Sequence, residues 1–554
     1  MIAKRSIREK NPLVPCSSIF LSADFLHGKY NSANLLYRKR RALRATIQNI
    51  LSHFTTLWRK FTRDRLLKNT SIYVIGNIIQ RAAEFLLLPL WAAFLTPEDY
   101  GITGTMSAYV GVLVTLLSLG LPSSIARHYY DFLDDPLEQK RYTSSILVFQ
   151  GLFSLAVTII LCLVGKPLWN LFSDETIPYL PFVVFMLWIS FFRSVIQTPT
   201  NLYRAEQKAK EFIYVQWGVF LTTTISAIIF VVLLKQGAYG QMLSTLIAAG
   251  VMAFVVLFLV LRRWFVPKLC WSHIVEGLKY GLPIVPHTLS AWALSAADRI
   301  VLQQFVSLHD IGLYNFSRQI SMAMQVLTSA INQAWAPHYY QMMAKGQNPD
   351  KHLVRVVSFY IAGIGGLCLA ASLFMPEFFN LFLPESYQPG VIYTAPLLVG
   401  YFFLGMYYFA SAPLFNFKKT NIIPLLSGGS ALVNVLLNVW FVPTHGAYVA
   451  AWNALIGYAL LMVSSAVIAR KYQKIPYPYF KYIVFMLFLI GGIFMPMLFP
   501  TWNIPGILVR GVALLGYMLA GFIWLIRPYR KKNGPPPEIK IEPPDAITTN
   551  IEEL

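Results

Sequence analysis

Seven ionisable side chains lie inside stretches that are otherwise apolar enough to cross a bilayer: Arg81, Glu84, Arg193, Asp298, Arg299, Arg318 and Arg510. A charge at the centre of a bilayer costs about 2.5–3.5 kcal/mol on insertion scales, and it persists where it faces a cavity or a partner. Five of the seven are arginines, against two carboxylates. That bias suits an anionic substrate, because a guanidinium presents a planar fork of donors to phosphate oxygens. Arg81, Arg299, Arg318 and Arg193 are therefore the candidate ligands of an anionic headgroup such as a phosphate or diphosphate. Glu84 and Asp298 are candidates for a coupling ion, H+ or Na+, or for gating. A carrier of drug cations calls for the opposite bias. No catalytic residue, metal site or resident cofactor is expected.

Each residue also has a plainer reading. Arg81 and Glu84 are spaced i, i+3 and share a helix face, so they can form a local ion pair that makes the helix cheaper to insert. Arg193, near the inner end of its span, can snorkel to the interface. Arg510 reads as an interface anchor. At ~1.5 Å rise per residue, Glu84 lies ~20 Å and Arg299 ~27 Å above the inner starts of their spans, close enough in depth to meet.

These residues need spans to hold them. The chain has 554 residues, of which 56% are hydrophobic and 13% charged, against about 25% charged in a soluble domain. Fourteen runs approach the ~20 apolar residues of a spanning helix. They lie between residues 71 and 526, and twelve is the count if 482–526 is re-entrant. The net charge is +21, but the basic residues sit mainly in a leading segment and in short loops. Loops after even-numbered spans carry them, as in Arg204, Lys208 and Lys210; loops after odd-numbered spans carry only Lys166 and Lys235. This alternation explains the charge as topology, excludes a nucleic-acid partner, and places both termini in the cytoplasm. The four cysteines have no metal or redox spacing.

The chain also repeats itself. Ala-x-His-Tyr-Tyr occurs at Ala126–Tyr130 and at Ala336–Tyr340, and the turn Phe94–Gly101 lines up with Phe305–Gly312. The offsets of 210 and 211 residues point to duplication of a whole block. Two similar halves around a site between them is a transporter pattern. The expected fold is an all-α polytopic membrane protein of about 14 helices, with two six-helix lobes and two further C-terminal helices. Residues 1–68 are a basic cytoplasmic extension with fifteen Lys/Arg against three acids. Residues 69–263 form the N-lobe, 264–280 the inter-lobe link, 281–470 the C-lobe, 471–526 the last two spans, and 527–554 a disordered tail. Within the extension, residues 35–66 read either as an interfacial helix on anionic membrane lipid or as an unstructured basic flank. Arg81 and Glu84 align with Trp292 and Ser295, so the site is expected to be asymmetric although its scaffold is not.

Several ordered motifs resemble one family. Leu95-Thr96-Pro97-Glu98-Asp99-Tyr100-Gly101 and then Gly120-Leu121-Pro122 through Ala126-Arg127-His128-Tyr129 resemble the first turn and span 2 of polysaccharide flippases. Tyr203-Arg204-Ala205-Glu206-Gln207, Gly281-Leu282-Pro283, Asp298-Arg299-Ile300 and Ile311-Gly312-Leu313-Tyr314 continue the likeness. Over roughly 67–470 the chain resembles the Wzx-type oligosaccharide flippases of the multidrug/oligosaccharidyl-lipid/polysaccharide (MOP) exporter superfamily. The resemblance implies alternating access about a central cavity. It also implies polyprenyl-diphosphate-linked oligosaccharide as cargo, moved across the cytoplasmic membrane toward polysaccharide polymerase and export machinery. Two other classes stay open: a cation-coupled exporter of the same superfamily, and a membrane glycosyltransferase or polymerase using Glu98-Asp99 in the first outer loop.

Overall fold

A computed structural model describes residues 65–172, 176–498 and 504–530. The chain divides into two units, Met1–Ser71 and Ile72–Leu554. Nearly all of the basic extension, including the expected interfacial segment, and all but the start of the C-terminal tail lie outside the described residues.

Every described element is helical. The first half of the chain forms α1 (Arg65–Leu86), α2 (Leu88–Phe94), α3 (Pro97–Ser118), α4 (Leu121–His128), α5 (Pro136–Phe172), α6 (Val184–Ala205), α7 (Ala209–Ala227) and α8 (Gly237–Trp264). A short α9 (Trp271–Gly281) leads to α10 (Ile284–Phe305), α11 (Leu308–Ala344), α12 (Asp350–Phe382), α13 (Val391–Asn416), α14 (Ile422–His445) and α15 (Tyr448–Ala469). After these come α16 (Tyr479–Gly492), α17 (Met495–Leu498), α18 (Ile504–Ala520) and α19 (Arg527–Arg530). Single π-type turns extend α6, α7 and α18 to Tyr179–Ala205, Ala209–Leu233 and Pro505–Ile526.

Among the described residues, ten helices are long and apolar enough to cross a membrane. Length and hydropathy thus establish ten spans where the sequence led us to expect fourteen. The other four expected spans fall on α1–α2, α10, α11 and α16. Helix α16 has only 14 residues, and the other three carry the ionisable and amide side chains that lower their hydropathy.

The duplicated turn is explained by capping. Thr96 accepts the backbone N–H of Asp99, and the Asp99 carboxylate accepts the backbone N–H of Thr96. Ser307 likewise accepts the backbone N–H of Asp310 at the start of α11. A side-chain acceptor satisfies donors that a helix start leaves unpaired. Asp99 does more, because its Oδ1 also accepts the Ala238 N–H at 2.7 Å and fixes the start of α8. Asp99 is therefore engaged in capping and packing and Glu98 meets His309 at 2.8 Å, which removes the feature behind the glycosyltransferase reading.

Helix α3 packs along α11 and α10 on one side and α6 on the other. Helix α13 is embedded between α11, α12 and α15, while α16 and α18 lie against α12. One hydrophobic cluster unites residues of the second half of the chain with Leu88, Leu95 and Tyr100, and two smaller clusters hold the first half together.

Candidate functional site

A cavity of about 1020 Å³ opens among α1, α2, α3, α6, α7 and α8 from the first half and α10 and α11 from the second. It draws a polar wall from helices whose opposite faces are packed. Arg81 and Glu84 come from α1, Arg193 from α6, Arg299 from α10 and Arg318 from α11. Trp292 and Ser295, which align with Arg81 and Glu84 in the repeat, line the same cavity. The two halves thus present unlike side chains at matching positions.

Arg81 and Glu84 form an ion pair at 2.9 Å, with Arg81 53% and Glu84 36% exposed. Glu84 also accepts from Gln80 at 3.0 Å. Glu84 does not meet Arg299, contrary to the expectation from depth, because its oxygens are already taken on its own helix face. Arg299 instead crosses the boundary between the halves. Its Nη1 donates to the Gly104 carbonyl at 3.3 Å and to Ser107 Oγ at 3.2 Å. Its Nε lies 3.9 Å from Asp298 Oδ1 and has no hydrogen-bond partner among the described residues.

Asp298 sits behind the cavity wall, 4% exposed. It accepts the Arg299 backbone N–H at 2.9 Å and the Tyr314 hydroxyl. Arg318 is 9% exposed and donates to the Ser295 carbonyl. Asp298, Arg299, Tyr314 and Arg318 therefore form one polar cluster between α10 and α11, with the two guanidiniums facing the cavity and the carboxylate behind.

Arg193 lies in the middle of its helix, because α6 continues to Ala205 beyond the apolar run. Its side chain is exposed to the cavity and has no hydrogen-bond or ion-pair partner among the described residues. Arg510 is a correction of another kind. It is fully buried rather than an interface anchor. It pairs with Glu377 through both terminal nitrogens, and it donates to the carbonyls of Leu373 at 2.7 Å and Gly506 at 3.2 Å. The pair fastens α18 to α12, outside the cavity lining.

One set of cavity residues was missed from the sequence. Gln80, Gln216, Gln241, Gln319 and Gln325 line the cavity beside the arginines. Their signal was present as carboxamides in the middle of apolar runs, but a search for ionisable groups passes over them.

The repeated histidines occupy the margins. His128 ends α4, contacts Ser124 and Tyr142, and lies 3.6 Å from Glu276 on α9. His338 packs its ring 4.8 Å from that of His352. Neither lines the cavity.

Similarity to known proteins agrees with this architecture. The sequence profile of the polysaccharide biosynthesis protein family matches residues 66–343, half of the chain. A protein encoded at the Lsg locus of Haemophilus influenzae is 22% identical over 288 residues, covering 50% of this chain and 67% of that one. The lipid II flippase MurJ in an inward closed conformation superimposes with a TM-score of 0.64 at 16% identity, over 82% of this chain and 99% of that one. An inward-facing multidrug resistance MATE family transporter of the MOP superfamily gives 0.54 at 15% identity, over 71% and 97%. These likenesses establish the fold. The chain belongs to the polysaccharide biosynthesis protein family and has the all-helical fold of MOP-superfamily membrane transporters.

Proposed function

We propose that the chain is a flippase that moves polyprenyl-diphosphate-linked oligosaccharide across the cytoplasmic membrane by alternating access, for surface or extracellular polysaccharide. The observation that carries this reading is the convergence of Arg81, Arg193, Arg299 and Arg318 from four helices on one cavity. Its volume of about 1020 Å³ is at the upper end of the ~300–1,000 Å³ typical of small-ligand sites. The diphosphate is held by the guanidiniums, the sugars occupy the polar cavity, and the polyprenyl tail stays in the bilayer.

In this reading α1–α8 form an N-lobe of six spans and α10–α15 a C-lobe of six, and α16 and α18 complete fourteen. The start of α3 faces outward and both termini face the cytoplasm, where the basic extension meets anionic lipid. The boundary at the starts of α3 and α11 is the outer gate, and its packing supports a state closed to the outside. Glu84 is the candidate for H+ or Na+ coupling, because it is the carboxylate that faces the cavity. Asp298 acts through Tyr314 and the neighbouring arginines.

The test is transport of labelled lipid-linked oligosaccharide in vesicles reconstituted with the full chain. Arg81→Ala should abolish translocation while the protein still inserts and melts as the parent does. Unchanged translocation in that variant removes Arg81 from the site, and absence of translocation by the parent removes the reading.

A further inference from the structure

The cavity wall carries two chemistries, guanidiniums and carboxamides. Helix α11 starts at Leu308. At ~1.5 Å rise per residue, Arg318 lies ~15 Å and Gln325 ~26 Å along that helix. Gln216 stands across the cavity on α7, whose extended helix ends at Leu233. On the same rise Gln216 is ~26 Å from that end. The turn after that end is tied to the start of α3 by the Asp99–Ala238 hydrogen bond, so the two glutamines share a level. That level lies ~10 Å beyond Arg318. The side chains of Gln216, Gln319 and Gln325 have no hydrogen-bond partner among the described residues, and Gln241 Oε1 is buried without one. A buried carboxamide oxygen left unsatisfied is costly and is normally paired. Here the unpaired groups face a cavity.

Charge restricts what the carboxamides can take. With no coupling ion on Glu84, the four arginines are offset by Glu84 and Asp298, which leaves an excess of two positive charges. A diphosphate esterified at both ends carries one negative charge on each phosphate. The headgroup alone therefore balances the cavity, and no cation is left for an acidic sugar. A carboxamide offers two donors and an acceptor in one plane. This matches the neighbouring hydroxyls of neutral sugars and the amide of an N-acyl group.

We propose that Gln216 and Gln325 form a glycan-reading wall that selects neutral or N-acylated sugars over hexuronates. This inference rests on the flippase reading above, whose diphosphate it uses to neutralise the arginines.

The experiment measures binding to the full chain in lipid nanodiscs with three probes: a bare polyprenyl diphosphate, one carrying a neutral oligosaccharide of hexose and N-acetylhexosamine, and one carrying a hexuronate in its place. Gln216→Leu and Gln325→Leu should each weaken the neutral-glycan probe roughly tenfold, the loss expected for one hydrogen bond of about 1.4 kcal/mol. Binding of the bare diphosphate should stay within about twofold, which also reports that the variants fold. Gln325→Arg should raise affinity for the hexuronate probe. Equal losses for the bare and glycosylated probes, no loss for either, or a parent that prefers the hexuronate overturns the wall. Failure of the parent to bind any diphosphate lipid overturns the flippase reading, and this inference with it.

Discussion

Gly101 and Gly312, matching positions 211 residues apart in the two copies of the turn, face each other's helix starts. A Cβ on Gly101 would strike the Leu308 carbonyl, and one on Gly312 the Pro97 carbonyl. Only a hydrogen in place of a side chain permits so close an approach of two backbones. Around this crossing, Glu98 and His309, also matching positions, meet at 2.8 Å, and the Tyr387 hydroxyl donates to the Leu95 carbonyl at 2.6 Å. Trp292 Nε1 donates to the Ala108 carbonyl at 3.2 Å. The repeat has thus become the contact between the halves.

Gly101→Val should therefore prevent the crossing. We expect translocation to fall at least tenfold and the seam to stay apart. The reporter is the pair Glu98→Cys and His309→Cys, which should form a disulfide readily in the otherwise unaltered chain and slowly in the Gly101→Val background. Equal rates of cross-linking would show that the glycine crossing is not needed for closure.

Arg299 tests the link between the seam and the cavity. Its guanidinium spans two acceptors on α3, and hydrogen bonds to charged groups are worth about 1.5–3 kcal/mol. Both bonds come from Nη1, and lysine lacks the further guanidinium N–H groups that are left for an anion. Arg299→Lys should lower affinity for a diphosphate lipid by roughly 10–100-fold on that energy. Binding unchanged by the substitution would remove Arg299 from the anion site.

The Arg510–Glu377 pair makes a stability prediction with a built-in control. Breaking a buried pair by removing one partner costs about 3–5 kcal/mol, because the other charge is left uncompensated, whereas replacing both with apolar groups is often neutral. Arg510→Leu and Glu377→Leu should each lower the melting temperature sharply, and the double variant should recover most of the loss. Additive losses would mean that the two residues act independently.

Glu206, between α6 and α7, supplies a pH dependence. Its side chain is 2% exposed, with Arg263 and Lys208 each at 3.0 Å. Burial pushes its carboxyl above the ordinary value of 4.5, opposed by Arg263 and reinforced by Glu211. A raised folded pKa means that the folded chain holds this proton more tightly than the unfolded one. The stabilisation is complete below the ordinary value of 4.5 and is lost as pH rises through the folded value. Melting curves taken from about pH 4 upward should show this component in the parent but not in Glu206→Gln. A slope that survives the substitution would locate it elsewhere.

Legibility varied with the distance over which each interaction acts. The Arg81–Glu84 pair was readable because i, i+3 neighbours share a face in any fold. The Arg510–Glu377 pair was not, since its members are 133 residues apart and only packing of α18 on α12 brings them together. The count of spans failed informatively. Helices α1, α10 and α11 fall short on hydropathy while supplying much of the cavity wall, so the property that blurred them as spans is the one that makes them a site.

By itself the sequence determined that this is an all-helical membrane protein with motifs repeated at a near-constant offset, and which cations its apolar runs carry. Composition, helical period and repeat offsets are local or additive, so no contact is needed to read them. Tertiary structure alone decided that four arginines from separate helices share one cavity, that Asp298 lies behind its wall, and that unpaired glutamines join them. Those facts depend on how each helix is rotated and crossed against its neighbours, which is fixed by side-chain packing and by close backbone approaches such as Gly101 and Gly312.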